Sequence, residues 1–152
     1  MIRPRFMILI MVFGVFAAAV SSIFPVVSTA SDIAAIGRIL WVIDGDTYRI
    51  AHAGAPDGEP VRARHFDTPE KGERARCEAE RLKAGRAEAM ARSLLSKGAV
   101  VGLSNPGRDR YGRLLATITL ADGRDLAGLM IGAGIARPYD GGRRSSWCGE
   151  AD

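Results

Sequence analysis

Apolar and polar positions change places in short bursts along the middle of the chain, and a turn-forming cluster closes most bursts. Ile39-Leu40-Trp41-Val42-Ile43 is a β-rich run that stops at Asp44-Gly45-Asp46, and Thr47-Tyr48-Arg49-Ile50-Ala51 reads as the returning strand. Gly54 to Pro60 is rich in Gly, Pro and Asp and predicts a loop. Val61 to Phe66 predicts a third strand, closed by Asp67-Thr68-Pro69-Glu70. The period then changes. From Cys77 to Lys97 the residues are helix formers, and Ala84, Ala87, Met90, Ala91, Leu94 and Leu95 fall at three-four spacing, with Gly98 where a C-cap belongs. Ala99–Leu103 and Leu114–Leu120 predict two more strands around a polar loop from Ser104 to Gly112. Asp122-Gly123 turns into a short apolar helix at about Leu126–Ala133, and the tail from Asp140 to Asp152 is too polar and Gly-rich for another. Five short strands with one helix after the third predict a small closed β-barrel with helices packed outside, an OB-like α+β arrangement.

The first thirty residues stand apart from this pattern. Arg3 and Arg5 precede an apolar run from Phe6 to Val27, and Ser28-Thr29-Ala30 supplies the small residues of a cleavage site. That order is a signal peptide over residues 1–30, with Ala17-Ala18-Ala19 offering an earlier cut. The alternative is an envelope anchor through residues 6–27, since a run of that length can span a bilayer. Either reading exports residues 31–152 as one domain, secreted or periplasmic. Once the leader is removed, a monomer with no stable membrane association is expected.

Composition narrows the chemistry. The 152 residues are ordinary in apolar (47%) and charged (25%) content, which excludes wholesale disorder. The net charge of +4 is mild and falls further with loss of Arg3 and Arg5, so non-specific coating of DNA is not implied. Of the 21 basic residues 18 are Arg, whose planar fork matches phosphate oxygens, although a GC-rich genome favours Arg codons as well. Cys77 and Cys148 are too few for a four-thiolate zinc site, and in an oxidising compartment they predict one disulfide. Neither His52 nor His65 lies in a Cys-His signature, which argues against a cysteine nucleophile.

Three polar clusters remain. Asp44-Gly45-Asp46-Thr47 suits a hard cation or a plain β-turn, and the spacing of an EF-hand is absent. Arg62 to Glu70 puts a guanidinium and two carboxylates within nine residues at a strand end, and Asp109-Arg110-Tyr111-Gly112-Arg113 is a basic-aromatic loop. Each alone is more often a plain solvated turn, strand end or loop than a functional site. Together and in this order, D-G-D-T at 44–47, R-x-x-x-x-D-T-P-E at 62–70 and Y-G-R at 111–113 resemble the staphylococcal nuclease (thermonuclease) family from about Ile39 to Tyr139.

The resemblance implies a five-stranded OB-fold barrel with a long helix after strand three and a short one after strand five. It also implies Ca²⁺-dependent hydrolysis of DNA and RNA phosphodiesters. Carried over residue by residue, Asp46 and Asp67 match the Ca²⁺-ligating carboxylates, and Thr68 matches the residue adding its backbone carbonyl. Glu70 matches the carboxylate that orients or deprotonates the attacking water, and Arg62 and Arg113 match the pair gripping the scissile phosphate. Hard oxygens, a base beside the metal and two guanidinium forks are what in-line attack on a phosphodiester needs. Arg110 and Tyr111 are candidates to contact a phosphate or stack on a base, and Tyr139 stands alone where relatives carry two base-stacking tyrosines. Departures lie at Ala63, His65 and Phe66, beside the metal ligands, and in the long C-terminal helix, which has no counterpart. Arg64 is a spare phosphate contact or a solvated side chain. A Cys77–Cys148 bridge would tie the short tail to the long helix as a clamp. The rival reading is a non-catalytic nucleic-acid-binding module of the same family.

Overall fold

A computed structural model of the chain describes residues 34–149. The leader or anchor expected over residues 1–30 lies outside the described residues. Strands β1 (Ala35–Val42), β2 (Thr47–His52), β3 (Ala55–Ala63), β5 (Val100–Arg108) and β6 (Leu114–Leu120) close a barrel in the order β1-β2-β3-β6-β5. Short strands β4 (His65–Asp67) and β7 (Arg137–Tyr139) form a separate two-stranded sheet. Helix α1 (Glu78–Leu94) follows β4 and helix α2 (Leu126–Gly132) follows β6. The five-stranded barrel with two helices is the expected architecture. Among the described residues no helix is long and apolar enough to cross a membrane.

Alternation explains the barrel. In β6 the burial pattern is strict, with Leu114, Ala116, Ile118 and Leu120 inward. Ile39, Tyr48, Ile50, Val61, Val101 and Leu103 join them in one core, which α1 caps with Ala87, Ala91 and Leu95 and α2 with Leu126 and Met130. Neighbouring barrel strands run antiparallel except at one seam. There β3 and β6 pair in parallel, Val61 with Leu114, Arg62 with Leu115 and Ala63 with Ala116.

The sequence misplaced several boundaries. The loop expected at Gly54–Pro60 is the first half of β3, paired to β2 through Arg49–Pro60 and Ile50–Glu59. Backbone pairing carries it there despite two prolines. The loop expected from Ser104 is β5 as far as Arg108, with an irregularity between Ser104 and Gly107 and Asn105 at φ 49°. The third strand does not reach Phe66 unbroken. It stops at Ala63, and His65 at φ 71° turns the chain into β4, whose partner β7 was not foreseen. Helix α1 begins at Glu78 with Cys77 as its N-cap and ends with Leu95 as C-cap. Gly98 instead sits in the next turn, donating its N–H to the Ile39 carbonyl at 2.8 Å.

The Gly between the two Asp of the first turn answers to space. A Cβ on Gly45 would lie 2.8 Å from Thr68 Oγ1 and 2.9 Å from Ala87 Cβ. The turn is wedged between the Thr68 loop and the small-residue face of α1. Gly45→Ala is therefore expected to cost about 1–3 kcal/mol by overpacking, read as a lower urea midpoint at unchanged slope. An unchanged midpoint would show that the wedge yields.

Candidate active site

The β1–β2 turn delivers Asp46, and three hydrogen bonds fix the turn and its carboxylate. Tyr48, fully buried, donates its hydroxyl to the Gly45 carbonyl at 2.6 Å. Burial, then the Asp46 and Asp44 charges, push the Tyr48 phenol well above its ordinary pKa, so it remains a donor. Thr47 Oγ1 donates to Asp46 Oδ1 at 2.9 Å, and the Thr68 backbone N–H donates to Asp46 Oδ2 at 3.3 Å. Asp46, Arg62, Asp67 and Thr68 are all at least nine-tenths buried.

Arg62 lies in the parallel seam and stands between the two aspartates. Its Nη1 is 2.6 Å from Asp46 Oδ1 and its Nη2 is 3.1 Å from Asp67 Oδ1. Asp67 nonetheless lies above the ordinary carboxylate pKa, chiefly because burial opposes its charge, with Asp46 adding repulsion; Arg144, Arg62 and the Trp147 indole pull the other way. Asp44 is raised too, first by burial and then by Asp46. At Asp44 and Asp67 burial therefore outweighs what the neighbouring hydrogen bonds and arginines supply.

That imbalance is what a divalent cation relieves, and Asp46, Asp67 and the Thr68 carbonyl are a hard-oxygen set of the kind Ca²⁺ prefers. The residues present fit the ion that the resemblance implies. A second group, Cys77, Glu80 and Cys148, comes within 4.8 Å. Cys77 and Cys148 are bonded to each other, however, and a disulfide presents no thiolate to a metal.

Glu70 follows Pro69 at the lip of the cleft. Its Oε1 pairs with Arg144 Nη1, and its Oε2 lies 3.3 Å from Arg74 Nε. Glu80, buried in the first turn of α1, holds its loop in place. One Glu80 oxygen accepts from the Glu70 N–H at 3.3 Å and the other from the Arg76 N–H at 2.7 Å. Sequence reading passed over Glu80 as a helix former. Its burial comes from the loop wrapping the helix end, and an acid in a helix first turn is too common to signal that.

The third cluster is built around Asp109. Its Oδ1 accepts the backbone N–H of Tyr111 at 2.8 Å and of Arg113 at 3.0 Å, and its Oδ2 accepts Arg113 Nε at 2.7 Å. Burial opposes its charge, but these hydrogen bonds and the Arg113 charge outweigh that and hold the Asp109 carboxyl below its ordinary pKa. Arg110 and Arg113 flank the exposed Tyr111 ring at 4.8 and 5.7 Å.

One open cleft of about 1530 Å³ collects Asp46, Arg62, Thr68, Glu70, Arg110, Tyr111, Arg113 and Tyr139, and Asp67 lies just behind it beside Thr68 and Glu70. All three sequence clusters thus converge. Arg64 lines the same cleft and is not merely solvated, since its Nε donates to the Asn105 carbonyl at 2.8 Å. Ala63 and Phe66 are core, while His65 is exposed and bonds Asp140 at 2.8 Å and Thr117 at 3.1 Å. The Cys77–Cys148 disulfide is formed. It returns the tail over the site, where Trp147 is buried under Arg137 at 3.6 Å. This tail supplies Arg144, which the sequence reading did not single out.

The closed five-stranded barrel with two helices is an OB-fold, with buried carboxylates and arginines gathered at one cleft. Residues 60–147, more than half of the chain, match the staphylococcal nuclease homologue family. The chain belongs to that family, which carries a nuclease-like or nucleic-acid-related function. The match takes in Arg62, Asp67, Thr68, Glu70, Arg113 and Tyr139 and begins after Asp46. No curated protein matches the chain.

Proposed function

We propose that the protein is a Ca²⁺-dependent nuclease that hydrolyses phosphodiester bonds of DNA or RNA by in-line attack of water. The observation that carries this is the convergence of Asp46, Asp67 and Glu70 with Arg62 and Arg113 around one cleft. When bound at Asp46, Asp67 and the Thr68 carbonyl, the cation supplies Lewis-acid polarisation of the phosphoryl oxygen. Glu70 orients the water and accepts its proton as the new bond to phosphorus forms and the P–O ester bond opposite it breaks, the leaving oxygen taking a proton from solvent water. Arg113, aimed by Asp109, and Arg62 offset charge that builds on the equatorial oxygens. Arg110 and Tyr111 form a flat, cationic platform at the mouth that suits an unpaired base and its phosphate.

Incubation with single-stranded DNA and RNA, with Ca²⁺ and then excess chelator, tests this reading. Cleavage that needs Ca²⁺ and is poorly supported by Zn²⁺ is expected. Full activity in chelator would sink the metal assignment. Binding without cleavage under any divalent ion would make the protein the non-catalytic module instead.

The proposal extends to place. A disulfide between Cys77 and Cys148 supports export to an oxidising compartment, as does the leader read at residues 1–30. N-terminal sequencing of the exported protein distinguishes cleavage near Ala30 from an envelope anchor.

Asp109 acts through Arg113. Asp109→Ala is expected to lower kcat about ten- to a hundredfold by loosening that guanidinium. Asp109→Asn, which keeps an oxygen for the two backbone N–H groups, should lose less. Equal kcat in Asp109→Ala and the unaltered protein would show that Arg113 needs no such aiming.

A further inference from the structure

The tail places a guanidinium where neither the sequence clusters nor the proposed chemistry require one. Arg144 Nε is 3.0 Å from Asp67 Oδ1, and its Nη1 pairs with Glu70 Oε1. One ring serves two arginines: Tyr139 has Arg62 at 5.9 Å and Arg144 at 5.7 Å from its centroid. The Tyr139 hydroxyl, donating to the Gly142 carbonyl at 2.9 Å, fixes the turn that aims Arg144 inward. The backbone behind is pinned by the Arg137 Nη1 bond to the Ser146 carbonyl at 2.9 Å, by buried Trp147 and by the disulfide. So much anchoring of a Gly- and Ser-rich tail is not needed to keep a surface arginine solvated.

Charge counting says what Arg144 does there. Asp46, Asp67 and Glu70 face Arg62 and Arg144, leaving one negative charge; Asp44 is answered by Arg74 at 3.3 Å. A divalent cation at the aspartates turns that into one positive charge, which a phosphodiester monoanion neutralises. With Asp67 so engaged, Arg144 loses one of its two carboxylate partners and faces a cleft that it already lines.

We propose that Arg144 is a third substrate-binding arginine, resting on Asp67 and Glu70 in the metal-free protein and gripping a backbone phosphate of a single-stranded nucleic acid once the cation binds. The inference rests on the nuclease reading for its substrate class, and it adds a contact supplied by the disulfide-tied tail. Guanidinium–phosphate pairs are bidentate and charge-assisted, and a contact of that kind acts on ground state and transition state alike. Arg144 therefore belongs to KM more than to kcat.

Two measurements on Arg144→Gln test it. In calorimetry with Ca²⁺ alone, the variant is expected to bind the ion several-fold more tightly, because a competing cation is gone. Affinity for a labelled single-stranded DNA 10-mer in Ca²⁺ should fall about tenfold or more, as loss of a charged hydrogen bond implies. That affinity is measured in the Arg113→Ala background, so that the strand survives. Arg144→Lys should recover part of the DNA affinity, which a purely structural tail contact would not do, and circular dichroism should show equal folding. Unchanged DNA affinity in Arg144→Gln, or weaker Ca²⁺ binding, would overturn the proposal. Failure of the unaltered protein to cleave DNA overturns the nuclease reading instead and leaves the affinity comparison intact.

Discussion

Glu70→Gln is expected to lower kcat about 10²–10⁴-fold, the usual worth of a general base, with little change in melting temperature. The amide keeps the shape of the side chain and an oxygen to accept from Arg144 or Arg74. The loop stays in place because Glu80 holds it through backbone N–H groups rather than through the Glu70 side chain. Both Glu70 oxygens are engaged, but the Arg74 side chain is more than half exposed, so that pair is screened and readily exchanged for water. The Arg144 pair is the one that must open. Steady-state kinetics with circular dichroism as the folding control checks this, and an unchanged kcat would remove Glu70 as the base.

Cys148→Ser is expected to produce the largest loss of stability. The bridge spans 71 residues, which chain entropy values at about 4 kcal/mol as a model-dependent ceiling. For a domain of this size that is a fall in Tm on the order of 10 °C. Thiol reductant should reproduce the fall in the unaltered protein and add nothing in the variant. The chemical step should suffer less, since Asp46, Arg62 and Arg113 stand on barrel strands or the turns between them, whereas KM should rise as the tail that carries Arg144 loosens. A Tm unmoved by both substitution and reductant would mean that Trp147 and Arg137 alone hold the tail.

What the sequence revealed and what it hid have separate physical causes. Period-two and period-3.6 patterns are written in side chains, so the inward face of β6 and the Ala84, Ala87, Ala91, Leu95 stripe of α1 were legible. The first half of β3 was not, because a stretch with Pro56, Asp57, Gly58 and Pro60 is held as strand by the pairing of Ala55, Glu59 and Pro60 with β2, a partner that composition does not announce. β7 was missed for its brevity, three residues that become a strand only because β4 needs a partner. The three motifs located most of the cleft, since chemistry fixes residue types at fixed offsets. Glu80 and Arg144 escaped for the opposite reason. Glu80 looks like any helix-forming acid, and Arg144 like any arginine in a polar tail. Only the loop wrapped on one and the disulfide behind the other give them their positions.

The parallel seam between β3 and β6 also sets when the site comes into being. Arg62 lies within it, and Arg113 immediately precedes its first paired residue, Leu114. The β1–β2–β3 meander and the β5–β6 hairpin are local and can form quickly, whereas the seam joins segments about fifty residues apart and must wait for loop closure. A chain with both units formed and the seam open would hold much of its strand content yet keep its two arginines on separate pieces. Recovery of catalysis during refolding should therefore trail the return of far-ultraviolet signal, making enzymatic turnover a clock for the final closing of the barrel.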